Sequence, residues 1–287
     1  MTYKKQYSLK LLCDIFEVSR SSYYEWTNRV ESNRSKGNKK LMVSIKTSFF
    51  ESKETYGVIR VLDDLRDQNI VCNKKRVARL MSLEGLKSVH KRKFKPCTTD
   101  SKHPLPIASN VIHQDFSVKG PNEKWGCDIT YIPTREGFLY LAIVLDFFSR
   151  KIVGFSMDDS MKTSLCSRAL KMALTFRQPP KTLIHHSDRG SQYASEEYRS
   201  VIQNYGFIQS MSRKGNCYDN AMVESFFHTL KVELVHRIFY QTKNQAKEDI
   251  TDYIYNFYNS KRKHSALDYQ APNNYENTTA LISKKCV

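Results

Sequence analysis

The sequence lacks the features that mark secreted and membrane-spanning proteins. Its seven cysteines lie at positions 13, 72, 97, 127, 166, 217 and 286, and no two of them form a C-x-x-C pair. An odd and scattered set indicates reduced thiols rather than a disulfide framework. The opening segment MTYKKQYSLK has no apolar signal core, and the longest apolar run, FLYLAIVL, is far too short to span a bilayer. We therefore expect a cytoplasmic protein without a membrane partner.

Acidic residues are scarce relative to basic ones. The 287 residues include 46 Lys and Arg against 29 Asp and Glu, which gives a formal net charge of +17. Residues 1–120 hold 24 of these basic residues and only 12 acidic ones. A basic protein can bind acidic lipid or nucleic acid, but no amphipathic membrane helix is evident. The excess therefore favours a polyanion such as DNA, bound mainly by the first part of the chain.

Three carboxylates have a distinctive spacing and setting. Asp128 lies in WGCDITYIPT, Asp188 in HHSDRGSQYAS and Glu224 in GNCYDNAMVESFFHTLK, with 35 residues between the last two. The first two contexts indicate strands and the third indicates a helix. Taken singly, an Asp at a strand end or a Glu in a helix is usually a solvated surface charge. The three together predict a site on which two strands and one helix converge.

Three carboxylates without histidine or cysteine ligands suit a hard divalent cation. Magnesium accepts a few carboxylates beside substrate phosphates and water. Two such ions stabilise charge on the attacking and leaving oxygens when a phosphodiester is cleaved. The expected cofactor is therefore Mg²⁺ or Mn²⁺, with two ions at one active site.

The periodicity of the first and third segments places the acids on defined faces. Alternation sets Asp128 and Thr130 opposite an apolar face of Trp125, Cys127, Ile129 and Tyr131. The helical period of the third segment separates a polar face from an adjoining apolar stripe. The polar face holds Asn220, Glu224, His228 and Lys231, and the stripe holds Val223, Phe226, Phe227 and Leu230. One side of this helix is expected to pack, and the other to meet DNA.

Six ordered segments resemble the second-reading-frame (OrfB) products of the insertion sequence three family of transposases, which are DDE recombinases like the retroviral integrases. They are YGVIRVLDDLRDQNIVCNKKRVARLM, WGCDITYIPT, YLAIVLDFFSRKIVGFSM, HHSDRGSQYAS, SRKGNCYDNAMVESFFHTLKVEL and YNFYNSKRKHSALDYQAP. The resemblance covers nearly the whole chain. It implies a bacterial, nucleoid-associated protein and an α/β fold, in which small all-α helix-turn-helix regions precede a ribonuclease H-like core.

The resemblance also implies roles for particular residues. Asp128, Asp188 and Glu224 fall on the family's catalytic, metal-binding triad, and Lys231 falls on its basic residue near the DNA. Asp146 does not match a family ligand, and its place in DFFSRK predicts a turn residue. Asp219 is interpreted as a cap or first-turn acid of the helix that carries Glu224.

Several basic residues are candidates for DNA contact. SLKLLCDIFEVSRSSYYEW predicts a helix-turn-helix that presents Arg20, although a small helical hairpin that binds nothing fits the same pattern. The segment from Glu54 to Leu86 predicts a second helix, turn and helix, with Asn73 as cap and a basic face that either contacts phosphates or is simply solvated. That face comprises Lys74, Lys75, Arg76 and Arg79. Arg213 and Lys214, in the loop SRKGNCYDN, are expected to meet DNA near the active site.

These patterns divide the chain into five parts. Residues 1–30 form the first helix-turn-helix-like segment, 38–87 the second, and a spacer, VESNRSKGNKK, leads from one to the other. Residues 88–122, with KRKFK and four prolines, form a basic linker. Residues 123–235 form the catalytic core. Residues 236–287 complete it with a helix whose aromatic stripe is interpreted as a core face rather than a base-stacking platform, and whose final KRKH either complements the helix dipole or contacts DNA.

The function expected from the resemblance is DNA transposition. The chain would cleave and join insertion-sequence ends by two-metal-ion hydrolysis and strand transfer, bound to terminal inverted repeats and target DNA as a homo-oligomer. An upstream-frame product (OrfA) would act as fusion or partner, since no heptad zipper is visible in this sequence. The alternatives are an inactive or domesticated DNA-binding repressor derived from a transposase, and a structure-selective nuclease of the same fold.

Overall fold

The computed structural model describes residues 7–89, 103–214 and 217–285. The chain begins with two short helices, α1 (Leu9–Ile15) and α2 (Arg20–Thr27). The side chain of Ser19 caps α2 by accepting from the backbone N–H of Ser22, and Glu17 turns the chain between the helices with φ 53°. The predicted helix pair and its break are confirmed. Within the described ranges, no helix is both long and apolar enough to cross a membrane.

Three further helices pack around their own small core. They are α3 (Asn33–Glu51), α4 (Val58–Asp67) and α5 (Lys74–Leu83), and their shared cluster includes Ile45, Leu65 and Val77. The predicted cap is confirmed, because the Asn73 side chain accepts from the backbone N–H of Lys75 at 2.8 Å. The predicted spacer at residues 30–40 is largely wrong, since α3 already begins at Asn33. Ser32 caps that helix, and such a cap can start a helix in a polar sequence.

A five-stranded sheet follows. The strands are β1 (Lys124–Thr134), β2 (Gly137–Asp146), β3 (Ile152–Asp158), β4 (Ile184–Ser187) and β5 (Ile208–Met211). Their order is β3-β2-β1-β4-β5. The first three pair antiparallel, whereas β4 joins β1 and β5 joins β4 in parallel. Side chains of the long antiparallel strands are buried on both faces of the sheet. The short strands β4 and β5 are parallel, so their carboxyl ends lie next to each other.

Helices cover both faces of this sheet. They are α6 (Thr163–Arg177), α7 (Ser191–Ala194), α8 (Glu196–Asn204), α9 (Ala221–Glu233), α10 (Lys243–Asp252) and α11 (Pro272–Lys285). Leu141 and Ile143 of β2 join one core with α9 and α10. Ala142 and Val144 of the same strand join the opposite core with α6 and α8. Alternation along one buried strand therefore serves two cores. This arrangement confirms the α/β, ribonuclease H-like fold with preceding helical regions.

The C-terminal aromatic stripe packs into the core, as predicted. Residues Tyr253–Tyr258 form a π-helical turn that continues α10, and Tyr253, Ile254, Phe257 and Tyr258 are buried. The four side chains follow the spacing i, i+1, i+4 and i+5, so they lie on one face of the helix. The sequence pattern predicts the burial but not the π geometry.

Residues 103–122 lie against the core as an extended segment. Ile112 is buried in the core shared with α9, and the backbone N–H of Val111 donates to Ser210 Oγ at 2.9 Å. His103 Nε2 lies 2.7 Å from the carbonyl oxygen of Arg189. This half of the predicted basic linker is thus fixed by packing. The KRKFK half lies outside the described residues.

The basic C-terminal KRKH motif joins the helical region to the core. Lys263 Nζ pairs with three carboxylates of α4: Asp63 at 2.6 Å, Asp64 at 3.0 Å and Asp67 at 2.6 Å. The hydroxyl of Tyr56 donates to the Lys261 carbonyl at 3.1 Å and accepts from the Lys263 N–H at 2.9 Å. Neither of the two roles predicted for this motif describes Lys263, because its partner is another part of the chain.

Candidate active site

The register of the parallel strands brings Asp128 and Asp188 side by side. Cys127 of β1 is paired with Ser187, the last residue of β4; Asp128 follows Cys127 within β1, and Asp188 is the first residue after β4. Adjacent strands lie about 4.8 Å apart, so the two carboxylates share one edge of the sheet. Asp128 Oδ1 accepts from the Ile129 N–H at 2.7 Å, and Asp188 Oδ1 accepts from the Gly190 N–H at 2.9 Å. Local backbone amides therefore orient both side chains.

The absence of a side chain at Gly190 provides space, and the backbone there has an ordinary conformation. Its φ of −63° is open to any residue. A Cβ there would lie 2.9 Å from Gln192 Oε1 and 3.1 Å from Asp188 Oδ1. The missing side chain leaves room for the Asp188 carboxylate at the start of α7.

Helix α9 brings Glu224 to the same edge. Asn220, which precedes the helix, is buried and donates from Nδ2 to the carbonyl oxygen of Cys127 at 3.3 Å. Gly126 allows the close approach, since a Cβ there would lie 2.7 Å from Val223 Cγ2 and 2.5 Å from Phe147. Val223 packs against the sheet, and Glu224 lies on the exposed side of the helix. The predicted apolar stripe of this helix is confirmed, and Glu224 and His228 lie on its exposed face, but Asn220 was wrongly assigned to that face because it is buried against β1.

The three carboxylates interact electrostatically. Burial raises the pKa of Asp128 well above its usual value, and the charges of Asp188 and Glu224 raise it further. The pKa of Glu224 is raised by partial burial of its carboxyl group and by Asp188. Each acid is therefore within electrostatic reach of another member of the set. The sequence-predicted trio occupies one region of the molecule.

Lys231 lies beside the trio, two turns along α9 from Glu224. Its ammonium sits over the ring of Tyr131, 4.8 Å from the ring centroid. Burial lowers the pKa of Lys231, and Asp128 opposes that shift. Tyr131 also stacks edge-on against Phe138, and it stands apart from the buried cluster of Trp125, Cys127 and Ile129. The cation is thus held by an aromatic face next to the acids.

The donor chemistry of the trio fits a hard divalent cation. Carboxylate oxygens are the ligands that Mg²⁺ and Mn²⁺ prefer, and a cation between them would offset the burial and the like charges that raise the pKa of Asp128. Within the described parts of the chain, no group of three or more His, Cys, Asp or Glu side chains is arranged to hold a metal ion. The ligands are of the right type and share a region, but they are not drawn together into a coordination group.

Asp219 has a different role from the predicted helix cap. It lies in a 3₁₀ turn, Cys217–Asn220, and is completely buried. Its carboxylate accepts from Arg213 N–H, Nε and Nη2 at 2.7, 3.1 and 2.9 Å. It also accepts from Asn110 Nδ2 at 2.9 Å and Gln114 Nε2 at 3.0 Å. Hydrogen bonds and charge from Arg213 hold the pKa of Asp219 well below its usual range. The long-range partners explain why the sequence does not reveal this role.

Asp146 is a turn residue, as predicted. It is completely buried, and its two oxygens accept from the backbone N–H groups of Asn122 at 2.8 Å and Phe148 at 2.9 Å. Burial raises the pKa of this carboxyl. It fixes the turn between β2 and β3 from within the core.

Two buried histidines, His185 and His186, lie in β4 and are separated from Asp188 by Ser187. His186 contacts Ser210 Oγ at 2.9 Å and Ser212 Oγ at 3.2 Å. His185 contacts Cys127 Sγ at 3.0 Å and the Tyr198 hydroxyl at 2.9 Å. Burial lowers the pKa of His185 to about 3 and that of His186 to about 4, so both rings are neutral near pH 7. The sequence pattern predicts only a strand at these two positions.

The predicted DNA-contact residues fall into two groups. The exposed group lies on the starts of α2 and α5 and in the loop after β5, and comprises Arg20, Lys74, Lys75, Arg79 and Lys214. Two others, the half-buried Arg76 and the exposed Arg213, have protein partners. Arg76 Nε donates to Asn38 Oδ1 of α3 at 2.9 Å, and Arg213 binds Asp219. These two arginines stabilise the fold whether or not they also reach DNA.

Comparison with known families agrees with this architecture. Residues 118–217 and 224–280 each match an integrase core domain family, and residues 36–94 match an HTH-like domain family. Among solved structures, the catalytic core domain of HTLV-2 integrase in complex with magnesium is similar, with a TM-score of 0.43 and 15% identity. That likeness covers 55% of this chain and 99% of the integrase domain.

Relatives of similar length match over nearly all of the chain. "Insertion element IS600 uncharacterized 31 kDa protein" of Shigella sonnei is 42% identical over 261 residues, covering 91% of this chain and 96% of the relative. "Transposase InsF for insertion sequence IS3A" of Escherichia coli (strain K12) is 40% identical over 277 residues, covering 96% of each chain. Sequence identity of about 40% over nearly the whole length of both chains shows that they belong to one family. The chain therefore belongs to the insertion sequence three (IS3) family of transposases.

Proposed function

We propose that this chain is a DNA transposase that cleaves the ends of an insertion sequence and joins them to another phosphodiester. The observation that carries the proposal is the adjacency of Asp128 and Asp188 on paired strands, with the Glu224 helix fastened to the same strand by Asn220. Membership of the IS3 family supports the same activity. The finer assignments that follow belong to this proposal.

Asp128, Asp188 and Glu224 would hold two divalent cations, Mg²⁺ or Mn²⁺. When bound, such ions lower the pKa of a bound water and stabilise charge on the attacking and leaving oxygens. The chain's own contribution is orientation. Backbone amides of Ile129 and Gly190 hold two of the carboxylates, so the ligands need little rearrangement on binding.

Lys231 would contact a DNA phosphate beside the acids. The ring of Tyr131 limits the rotamers of its long side chain, and partial burial reduces the hydration that competes with a phosphate. A point charge held in this way would bind the scissile region irrespective of base sequence.

The remaining basic residues would bind DNA away from the chemistry. Lys74, Lys75 and Arg79 lie on the first two turns of α5, where phosphates also benefit from the helix dipole. Arg20 would contact a phosphate in the same way at the start of α2. Lys214 would contact DNA near the active site. Arg76 and Arg213 would do so only with the N–H groups that their protein partners leave available.

The functional division predicted from the sequence belongs to the same proposal. Residues 1–30 and 38–87 would recognise the terminal inverted repeats, 88–122 would follow the DNA backbone, 123–235 would carry the chemistry, and 236–287 would complete the core. A homo-oligomer would bring two ends together, with an upstream-frame (OrfA) product as fusion or partner. The protein would act at the bacterial nucleoid in the cytoplasm.

A cleavage assay tests the activity. Purified protein, with and without the upstream-frame product, is incubated with Mg²⁺ and a labelled duplex that carries one end of the element. The proposal predicts a nick at the element terminus that is lost in Asp188→Asn. Equal cutting of a scrambled duplex would identify a nuclease without end specificity, and DNA binding without any nick would identify a DNA-binding repressor.

A further inference from the structure

A cationic cleft lies where the helical region meets the catalytic core. It has a volume of about 340 Å³. Arg60 of α4 lines one wall, Arg150 of the turn after β2 lines another, and α9 contributes Ser225, His228 and Thr229. Met222 and Ser225, which lie on either side of Glu224 in α9, both line the cleft, so the cleft lies next to Glu224 along the same helix.

Two guanidinium groups face this cleft without a carboxylate partner. Arg60 and Arg150 are half-buried, and no ion pair joins either of them to an acid among the described residues. Glu233 is the one acid in the described lining, and it is already bound by Arg262. The Nη2–Oε1 distance of that pair is 2.8 Å and the Nε–Oε2 distance is 2.9 Å. The Tyr253 hydroxyl donates to the same carboxylate at 2.7 Å, so the charge of Glu233 is satisfied.

His264 also lines the cleft, together with Arg60, Arg150 and Arg262. Arg262 Nη1 lies 3.4 Å from Nδ1 and 3.3 Å from Nε2 of the imidazole. Burial lowers the pKa of His264, and the charges of Arg262, Arg60 and Arg150 lower it further. Burial also lowers the pKa of Arg60 and of Arg150. Positive charge is thus concentrated in a partly desolvated space, which an anion would stabilise.

We propose that this cleft binds a backbone phosphate of the DNA strand that passes the catalytic edge, with Arg60 and Arg150 as its ligands. The inference rests on the proposed function, because that function supplies the DNA. Guanidinium groups bind phosphate oxygens through paired N–H donors. His228 lies four residues beyond Glu224, roughly 6 Å along the helix, so a strand at the active site continues into the cleft.

The cleft would also couple the two parts of the protein. Arg60 belongs to the helical region and Arg150 to the core, so one phosphate would bridge both. The ion pairs of Lys263 with α4 lie at the same contact between the helical region and the core. A bound strand would therefore fix the position of the helical region relative to the catalytic acids.

The test measures DNA binding as a function of salt. The variant Arg60→Gln/Arg150→Asn removes both charges, and asparagine tolerates the φ of 59° at position 150. Lys171→Gln is the control, because Lys171 is an exposed residue of α6 on the opposite face of the sheet. Binding of a fluorescent element-end duplex is followed in EDTA. The slope of the logarithm of the binding constant against the logarithm of the salt concentration should be smaller in magnitude by about one to two in the double variant than in wild type. The slope of the control should decrease by less.

An unchanged slope in the folded double variant would overturn the cleft assignment. If the double variant does not fold, phenylglyoxal modification of wild-type protein decides: duplex DNA should protect Arg60 and Arg150, and equal modification with and without DNA would contradict the proposal. Cleavage is assayed separately in Mg²⁺. Wild type that binds with the full slope but never nicks would remove the proposed function and leave the cleft assignment intact.

Discussion

The buried carboxylate of Asp219 accepts hydrogen bonds from both the backbone amide and the guanidinium group of Arg213, at 2.7 to 3.1 Å. The pair joins the end of the β5 loop to the turn that starts α9. Because α9 carries Glu224, this contact positions a proposed catalytic acid from five residues away. Arg213 is therefore a structural residue first.

Asp219→Asn is expected to lower the melting temperature by several degrees and to reduce DNA cleavage. The substitution removes the charge that Arg213, Asn110 and Gln114 share. Arg213→Gln should cost less, because three of the donors to Asp219 remain. Thermal unfolding and a cleavage assay compare the two variants, and a larger loss in Arg213→Gln would contradict this role for Asp219.

Gly126→Ala should destabilise the protein by about 1–3 kcal/mol, the usual cost of overpacking a core. The new methyl group would meet Val223 and Phe147, which pushes α9 and Glu224 away from β1. Gly120→Ala is the matched control, since a Cβ there would lie 3.5 Å from Glu123 Oε1. Urea unfolding and cleavage are measured for both. Equal stability of the two variants would show that α9 does not need the space at position 126.

Asp128→Asn is expected to stabilise the metal-free protein at neutral and alkaline pH. The folded pKa of Asp128 is raised above the usual 3.8, so its ionised form destabilises the folded state at any pH well above that value. The gain should shrink as the pH falls toward 3.8, where the carboxyl is protonated in both states. Unfolding in EDTA across pH 5–8 measures it. Destabilisation by the asparagine would contradict the raised pKa that burial and the neighbouring acids give Asp128.

Metal should reverse the order of stability. Mg²⁺ or Mn²⁺ bound to the trio would raise the melting temperature of wild type more than that of Asp128→Asn, because binding to the folded state stabilises it. The shift is measured against Ca²⁺-free buffer with EDTA. Identical shifts in the two proteins would place the metal away from Asp128.

His186→Gln tests the buried neutral histidine. The folded pKa of about 4 lies below the usual 6.5, so the unfolded state binds the proton more readily and wild type loses stability as the pH falls from 6.5 to 4. This contribution reaches ~1.4 kcal/mol per pH unit. The variant loses the contacts with Ser210 and Ser212, but its glutamine side chain does not titrate. Its stability therefore does not fall through this route on acidification, and its disadvantage relative to wild type at pH 7 should shrink as the pH is lowered. Parallel stability curves for the two proteins would contradict the account.

Much of the fold could be predicted from local pattern. Alternation in the segment around Asp128 and helical spacing around Glu224 predict β1 and α9, and the buried faces follow from the same periods. Asn73 marks the start of α5 because capping depends on neighbouring residues alone. These features are encoded within a few residues, which is why the sequence reveals them.

Long-range partners could not be predicted in this way. Lys263 pairs with carboxylates of α4 that lie about 200 positions earlier in the chain. Asp219 accepts hydrogen bonds from Asn110 and Gln114, which belong to another segment. Both residues are charged and lie in polar stretches, so their local pattern is that of a solvated surface. The helical start of α3 at Asn33 was hidden for a similar reason, because polar residues obscure the period.

The most direct test of the triad is the sequencing of DNA junctions formed in cells. Wild type, Glu224→Gln and the control Glu248→Gln, an exposed glutamate of α10, are expressed beside the element ends, together with the upstream-frame product. The account predicts joined ends for wild type and Glu248→Gln and none for Glu224→Gln, whose DNA binding is retained. Joined ends at the wild-type frequency in Glu224→Gln would contradict the assignment of Asp128, Asp188 and Glu224 as the catalytic acids.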